Sequence, residues 1–191
     1  LGASGLYGPA MDTHRNAYCG RNFEYYSEDG FLSGKIAAAE ISGIQSKGVY
    51  VYMKHFALND SETKCRCIST WANEQSIREI YLKPFEMSVT EGGAKAVMNA
   101  FARVGAVWSG ADAGLMTNVL RNEWGFDGFV VSDWGAAYDQ VKALSAGNDL
   151  DQPGPRNIQP ILDAVESGEL PLSVLDESVR RVLQAIVQSP A

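Results

Sequence analysis

The chain has 191 residues, 46% of them hydrophobic and 20% charged, which is enough apolar material for one ordinary globular domain with a sizeable core. A formal net charge of -7 and a pI near 4.8, without any Lys/Arg-rich block, argue against a nucleic-acid partner, whose phosphates require cations. No apolar run approaches the roughly 18 to 20 residues that span a bilayer, which argues against a membrane partner.

The opening LGASGLYGPAMDTHR has neither a basic leader nor an apolar signal core, and it lacks an initiating Met, so it carries no information about secretion. Next, GFLSGKIAAAEISGIQSKG reads as an Ala-rich helix in which Ile36, Ile41 and Ile44 supply apolar contacts and Gly48 closes the segment. VYVYM (49–53) is predicted to be a strand. Ile77, Ile80, Tyr81 and Phe85 then fall at i, i+3, i+4 and i+8, so one helical face is expected to turn inward, with Pro84 kinking that helix or starting a second piece. AVMNAF (96–101) is a second strand; Leu115, Met116, Val119 and Leu120 mark a helix stopped near Gly125; GFVV (128–131) is a third strand. Two helices follow, one on Ile158, Ile161, Leu162 and Val165, the other on Leu175, Val179, Val182, Leu183 and Ile186, with Ser173 and Asp176 spaced as an N-terminal capping pair. These stripes read as core packing.

Strands alternating with helices predict an α/β fold with a parallel sheet and one domain over residues 1–191. Periodicity leaves open a doubly wound sheet or a barrel. No G-x-G-x-x-G follows a strand, which removes the usual support for a dinucleotide fold. A (β/α)8 barrel typically needs about 250 residues, so a barrel would be only partial here.

Cys19, Cys65 and Cys67 are an odd count, which fits free thiols in a reducing, cytoplasmic compartment rather than a disulfide framework. The Cys65-Arg66-Cys67 spacing resembles a metal motif, but structural zinc needs four ligands and the chain has only His14 and His55. Neither a metal nor an organic cofactor is expected. Asn59-Asp60-Ser61 fits the glycosylation tripeptide, a pattern common by chance.

In β/α folds catalytic groups collect at the C-terminal ends of strands, and there this chain interrupts its apolar runs with charge. VYVYMKHF ends in Lys54 and His55, GFVVSDW ends in Ser132, Asp133 and Trp134, and AGNDLDQPG places Asp149 and Asp151 after a short segment that could be a further strand. An indole can lie against the C–H face of a sugar ring while charged groups bond its hydroxyls, and Asp133 could serve as nucleophile of a retaining glycosidase. The plainer alternatives are that Asp133 caps a helix, Lys54 snorkels to solvent and His55 is a hydrogen-bonded core residue.

GRNFEYYSEDG (20–30), KHFALND with Glu62, REIYLKPFE (78–86), LRNEWGFDGFVVSDWG (120–135) and AGNDLDQPG (146–154) occur in an order that closely resembles glycoside hydrolase family 3, which includes many β-glucosidases. The resemblance covers nearly the whole chain. It implies a TIM-barrel-like catalytic domain that cleaves terminal β-linked sugars with retention and without metal or organic cofactor. It implies Asp133 as nucleophile, Arg21, Lys54 and His55 as residues that bind sugar hydroxyls, and Trp134 as an aromatic wall near the cleavage point. Glu24 and Glu28, and likewise Asp149 and Asp151, are expected to be structural.

Two positions depart from the family pattern. Phe101-Ala102 stands where many members read Tyr-Asn, which removes a phenolic hydrogen bond to the nucleophile. Cys65 stands where an Arg is common, with Arg66 displaced by one, so no role is assigned to Arg66. The resemblance also implies an early-strand, sugar-binding Asp upstream of Leu1 and an acid/base Glu from a separate α/β domain or another region. No segment here matches either, so the chain is expected to be the later part of a barrel, inactive on alkyl β-glucosides when expressed alone. Two other readings stand beside the β-glucosidase one: a sugar-binding but catalytically incomplete fragment and, more remotely, a Schiff-base lyase using Lys54.

Overall fold

Apolar runs separated by amphipathic segments bury their surface most fully when the runs pair as strands and the helices cover them. The structure, a computed structural model, describes residues 2–154 and 157–189. In chain order its strands are β1 (Gly5–Leu6), β2 (Tyr50–Phe56), β3 (Ser69–Thr70), β4 (Ala96–Asn99), β5 (Arg103–Val104), β6 (Val107–Trp108) and β7 (Phe129–Val131). The helices are α1 (Gly30–Gln45), α2 (Glu74–Ser76), α3 (Lys83–Thr90), α4 (Gln140–Ala146), α5 (Gln159–Ser167) and α6 (Leu172–Gln188), with π-helical segments at Ile77–Tyr81 and Gly114–Glu123. The main sheet runs β1-β2-β4-β7, every pairing parallel, and a parallel bridge from Val131 to Leu150 continues it.

Each new strand adds to the same side of its predecessor. A doubly wound sheet would reverse that order at a switch point, whereas a barrel advances in one direction. The fold is therefore a partial TIM-type barrel, and its sheet does not close among the described residues. β3, β5 and β6 form a separate small sheet that holds the loop after β4.

The core lies between the sheet and its helices. Val51, Met53, Val97 and Val130 are fully buried and pack with Ile41, Phe85, Met116 and Leu120 from the helical layer. α1 starts where the Asp29 carboxylate accepts from the Phe31 and Leu32 N–H groups. Its small residues let it approach α3 closely, since a Cβ at Gly34 would strike the Met87 side chain. Gly128 is required on similar grounds, because a Cβ there would strike the Lys95 backbone where β7 enters beside β4.

The strands and the Leu115–Leu120 helix follow the expected pattern, and Pro84 begins a second helical piece, α3. Three expectations need correction. Ile36 and Ile80 are exposed; on α1 the buried face is formed by Gly30, Ser33, Gly34, Ala37, Ala38 and Ile41, and Ile36 points away from it. Ile158, Leu162, Val179, Leu183 and Ile186 are also exposed, since among the described residues no element covers those outer faces of α5 and α6. Ser173 does not cap α6: the helix begins at Leu172, with the extended Pro171 as its N-cap, so Ser173 already lies in the first turn.

Candidate active site

β2 carries its apolar alternation to Met53 and then delivers Lys54 and His55 inside its own last residues, where the pairing with β4 shifts register. The segment from Pro9 to Met11 runs beside this end, with Lys54 N–H donating to Pro9 O and Met11 N–H to Lys54 O. Asp12 is thereby set against His55. The buried Asp12 carboxylate accepts from the His55 backbone N–H at 3.0 Å, from His55 Nδ1 at 2.9 Å and from the Asn59 N–H at 2.9 Å. A carboxylate only accepts, so Nδ1 carries the proton and Nε2 faces the other way.

That other way is Asp133. His55 Nε2 stands 3.8 Å from Asp133 Oδ2, beyond a direct hydrogen bond. The Asp133 carboxylate is buried at the end of β7 and oriented from its own backbone, with the Trp134 N–H donating to Oδ1 at 2.6 Å and the Asp133 N–H donating to Asn99 Oδ1 at 3.2 Å. Asn99 is held in turn, its Nδ2 donating to Asn148 Oδ1 at 2.8 Å. Oδ2 makes no hydrogen bond among the described residues. One oxygen is thus anchored, and the other keeps its lone pairs in a largely desolvated position.

Arg21 and Lys54 meet on Glu24. The Arg21 guanidinium pairs with Glu24 Oε1, and Lys54 Nζ lies 3.1 Å from Oε2. Burial pushes the Glu24 carboxyl up, but its bonds to Arg21 and Lys54 outweigh that and hold it below the ordinary range. Glu24 therefore fixes the two cations that the motifs separate by more than thirty residues. Tyr25, the next residue, places its ring edge-on to His55 at 6.4 Å and donates its hydroxyl to Asn59 O at 3.0 Å, which ties the Arg21 loop to the end of β2. Trp134 leaves most of its surface free, 61% exposed beside the buried Asp133.

Asp149 and Asp151 are occupied differently. Asp149 is bonded by Arg121 at 2.8 Å, Arg181 at 2.9 Å and the Val130 N–H at 2.8 Å, while Asp151 accepts from Ser132 Oγ and Gln140 Nε2. Both brace the segments that flank β7. Arg66, left without a role by its displaced position, donates to the Trp134 and Gly135 carbonyls at 3.0 Å each. Cys65 beside it is half-buried, and burial pushes its thiol up, away from the reactive thiolate.

Sequence reading thus singled out Arg21, Lys54, His55, Asp133 and Trp134 but missed Asp12, Asn99 and the linking role of Glu24. Asp12 and Asn99 carried the same signal as Asp133, a polar residue just after an apolar run. It was masked because PAM is short and because AVMNAF read as one strand through its Asn.

Residues 1–185 match the family described as the Glycosyl hydrolase family 3 N terminal domain. The thermostable beta-glucosidase B of Acetivibrio thermocellus is 43% identical over 183 residues, covering 95% of this chain and 24% of that protein. Beta-glucosidase B of Emericella nidulans is 42% identical over 190 residues, covering 98% of this chain and 22% of that protein. The solved structure of beta-glucosidase 3B from Thermotoga neapolitana in complex with glucose superposes with a TM-score of 0.95 at 43% identity, covering 98% of this chain and 27% of that one. The chain therefore spans about a quarter of the length of these relatives.

Proposed function

The chain belongs to glycosyl hydrolase family 3, and on that premise we propose that residues 1–191 form part of the catalytic barrel domain of a β-glucosidase that hydrolyses terminal, non-reducing β-glucosidic bonds with retention. The single observation that carries the reading is the state of Asp133: buried, held by one oxygen and unbonded at the other. In the proposed reaction Asp133 Oδ2 attacks the anomeric carbon while the bond to the leaving oxygen breaks and that oxygen takes a proton from an acid. Water then cleaves the resulting glycosyl ester and releases the sugar with its original configuration. We place the acid outside residues 1–191, in accord with the quarter-length match to the relatives.

Arg21, Lys54 and His55 are proposed to bind sugar hydroxyls. Glu24 pre-orients Arg21 and Lys54, and Asp12 fixes the His55 tautomer, so little ordering is left to the binding step. Trp134 offers an exposed indole face to the ring beside the reacting carbon. The relative solved with glucose supports a glucoside as the substrate class. Schiff-base chemistry on Lys54 is opposed by its ion pair with Glu24, because a charged, paired ammonium is not a nucleophile.

Proton NMR during hydrolysis of an aryl β-glucoside by the full-length protein tests the reading. β-Glucose is expected to accumulate first and then mutarotate. First release of the α anomer would contradict a nucleophilic Asp133, and glucose binding without turnover would favour a purely sugar-binding role.

A further inference from the structure

Arg66 lies on an exposed turn, the short 3-10 segment Cys65–Cys67, yet both terminal nitrogens of its guanidinium are hydrogen-bonded. Nη2 donates to the Trp134 carbonyl and Nη1 to the Gly135 carbonyl, both at 3.0 Å, and the guanidinium carbon sits 4.5 Å from the centroid of the Phe101 ring. The Arg66 carbonyl accepts from Arg103 Nη1 at 3.1 Å, which fastens the turn to the small sheet. The target of this fork is the stretch that orients Asp133. Trp134 supplies the N–H that holds Asp133 Oδ1, and Gly135, at φ +72°, is the turn's most permissive residue. A planar fork that spans two successive carbonyls removes rotational freedom which a glycine would otherwise admit.

From this geometry we propose that Arg66 is a positioning residue for the nucleophile: it clamps the Trp134-Gly135 backbone, with the Phe101 ring as its platform, so that Asp133 stays aimed for attack. The inference rests on the reading of Asp133 as nucleophile. It assigns Arg66 no contact with the sugar.

The test is the rate at which the full-length protein releases dinitrophenolate from 2,4-dinitrophenyl 2-deoxy-2-fluoro-β-glucoside, together with glucose affinity and Tm, in the parent and in Arg66→Ala and Arg66→Lys. Arg66→Ala is expected to slow the single-turnover release about tenfold, while glucose affinity changes less than about twofold and Tm is unchanged, as befits an exposed side chain. Arg66→Lys keeps the charge but cannot fork across both carbonyls, so it should fall between the two. Parent-like rates in both variants would overturn the role of Arg66 while leaving Asp133 as nucleophile intact. A parallel loss of glucose affinity in Arg66→Ala would overturn it too, by showing a sugar contact instead. If Arg66→Ala failed to fold, Arg66→Lys would decide alone: parent-like release would overturn the role, and slowed release at parent affinity would support it. No burst in the parent would overturn both readings together.

Discussion

Two carboxylates flank the end of β7, and the protein treats them in opposite ways. Asp149 has its side chain fully buried, with one oxygen bonded by Arg181 and the other by Arg121 and the Val130 N–H. Asp133 is also buried, but only Oδ1 is bonded and Oδ2 looks toward an imidazole nitrogen 3.8 Å away. A carboxylate with donors on both oxygens holds segments together, whereas the proposed nucleophile is fixed at one oxygen and unengaged at the other. Burial alone does not distinguish the two carboxylates; the distribution of donors over their oxygens does.

The comparison is broken most forcefully by exchanging charge for amide at Asp133. In the full-length protein Asp133→Asn is expected to lower kcat by several orders of magnitude, because the amide cannot form the glycosyl ester, while Tm holds since the remaining oxygen still accepts from Trp134. Asp149→Ala should do the reverse. It strands Arg121 and Arg181 without their common partner, and urea unfolding should show a loss of about 3 to 5 kcal/mol, the usual consequence of breaking a buried ion pair. Lost turnover without lost stability at Asp149 would erase the distinction.

A smaller effect belongs to the cations that Glu24 holds. Lys54→Ala unpairs one oxygen of Glu24 and, on the proposed role of Lys54, removes a charged contact to a sugar hydroxyl, so kcat/KM should fall about 10- to 100-fold, with both KM and kcat affected. An unchanged kcat/KM would return Lys54 to a structural role.

The smallest effect is expected at a third buried carboxylate, Asp60, which forms an ion pair with the half-exposed Arg15 at 2.6 Å. Burial outweighs that pair and raises its pKa to about 6. The folded state therefore binds the proton more tightly than the unfolded chain, so the charged form is a cost to folding. That cost is absent below the unfolded pKa of roughly 4, grows as pH rises toward about 6 and is constant above it. The Tm of Asp60→Asn minus that of the parent should rise between pH 4 and 6 and then level off; a flat or falling difference would show that Arg15 fully compensates the charge.

How much of this was legible in the sequence depended on the range of the interactions. β2, β4 and β7 were readable because runs such as VYVYM and GFVV need only local alternation and burial, and Asp133 was readable because polarity interrupts an apolar run at a strand end. The hold of Asp12 on His55 and of Arg66 on the Trp134-Gly135 backbone was not readable, since each joins segments far apart in the chain through a register and a turn that periodicity does not encode. On α6 the spacing of Val179, Leu183 and Ile186 fixed a helix correctly, but an apolar stripe does not say what lies across from it. Asp149 was expected to be structural, but its two partners, Arg121 and Arg181, were not readable, since they reach it only once the helices pack.

The most direct test of the central claim is to map the covalent bond itself. After incubation with a 2-deoxy-2-fluoro-β-glucoside, the full-length protein would be digested and its peptides analysed by tandem mass spectrometry. The account predicts one fluoroglucosyl group, on Asp133, absent from Asp133→Asn and released on reactivation with an acceptor sugar. A label on Asp149 or any other carboxylate, or active protein that never acquires one, would contradict it.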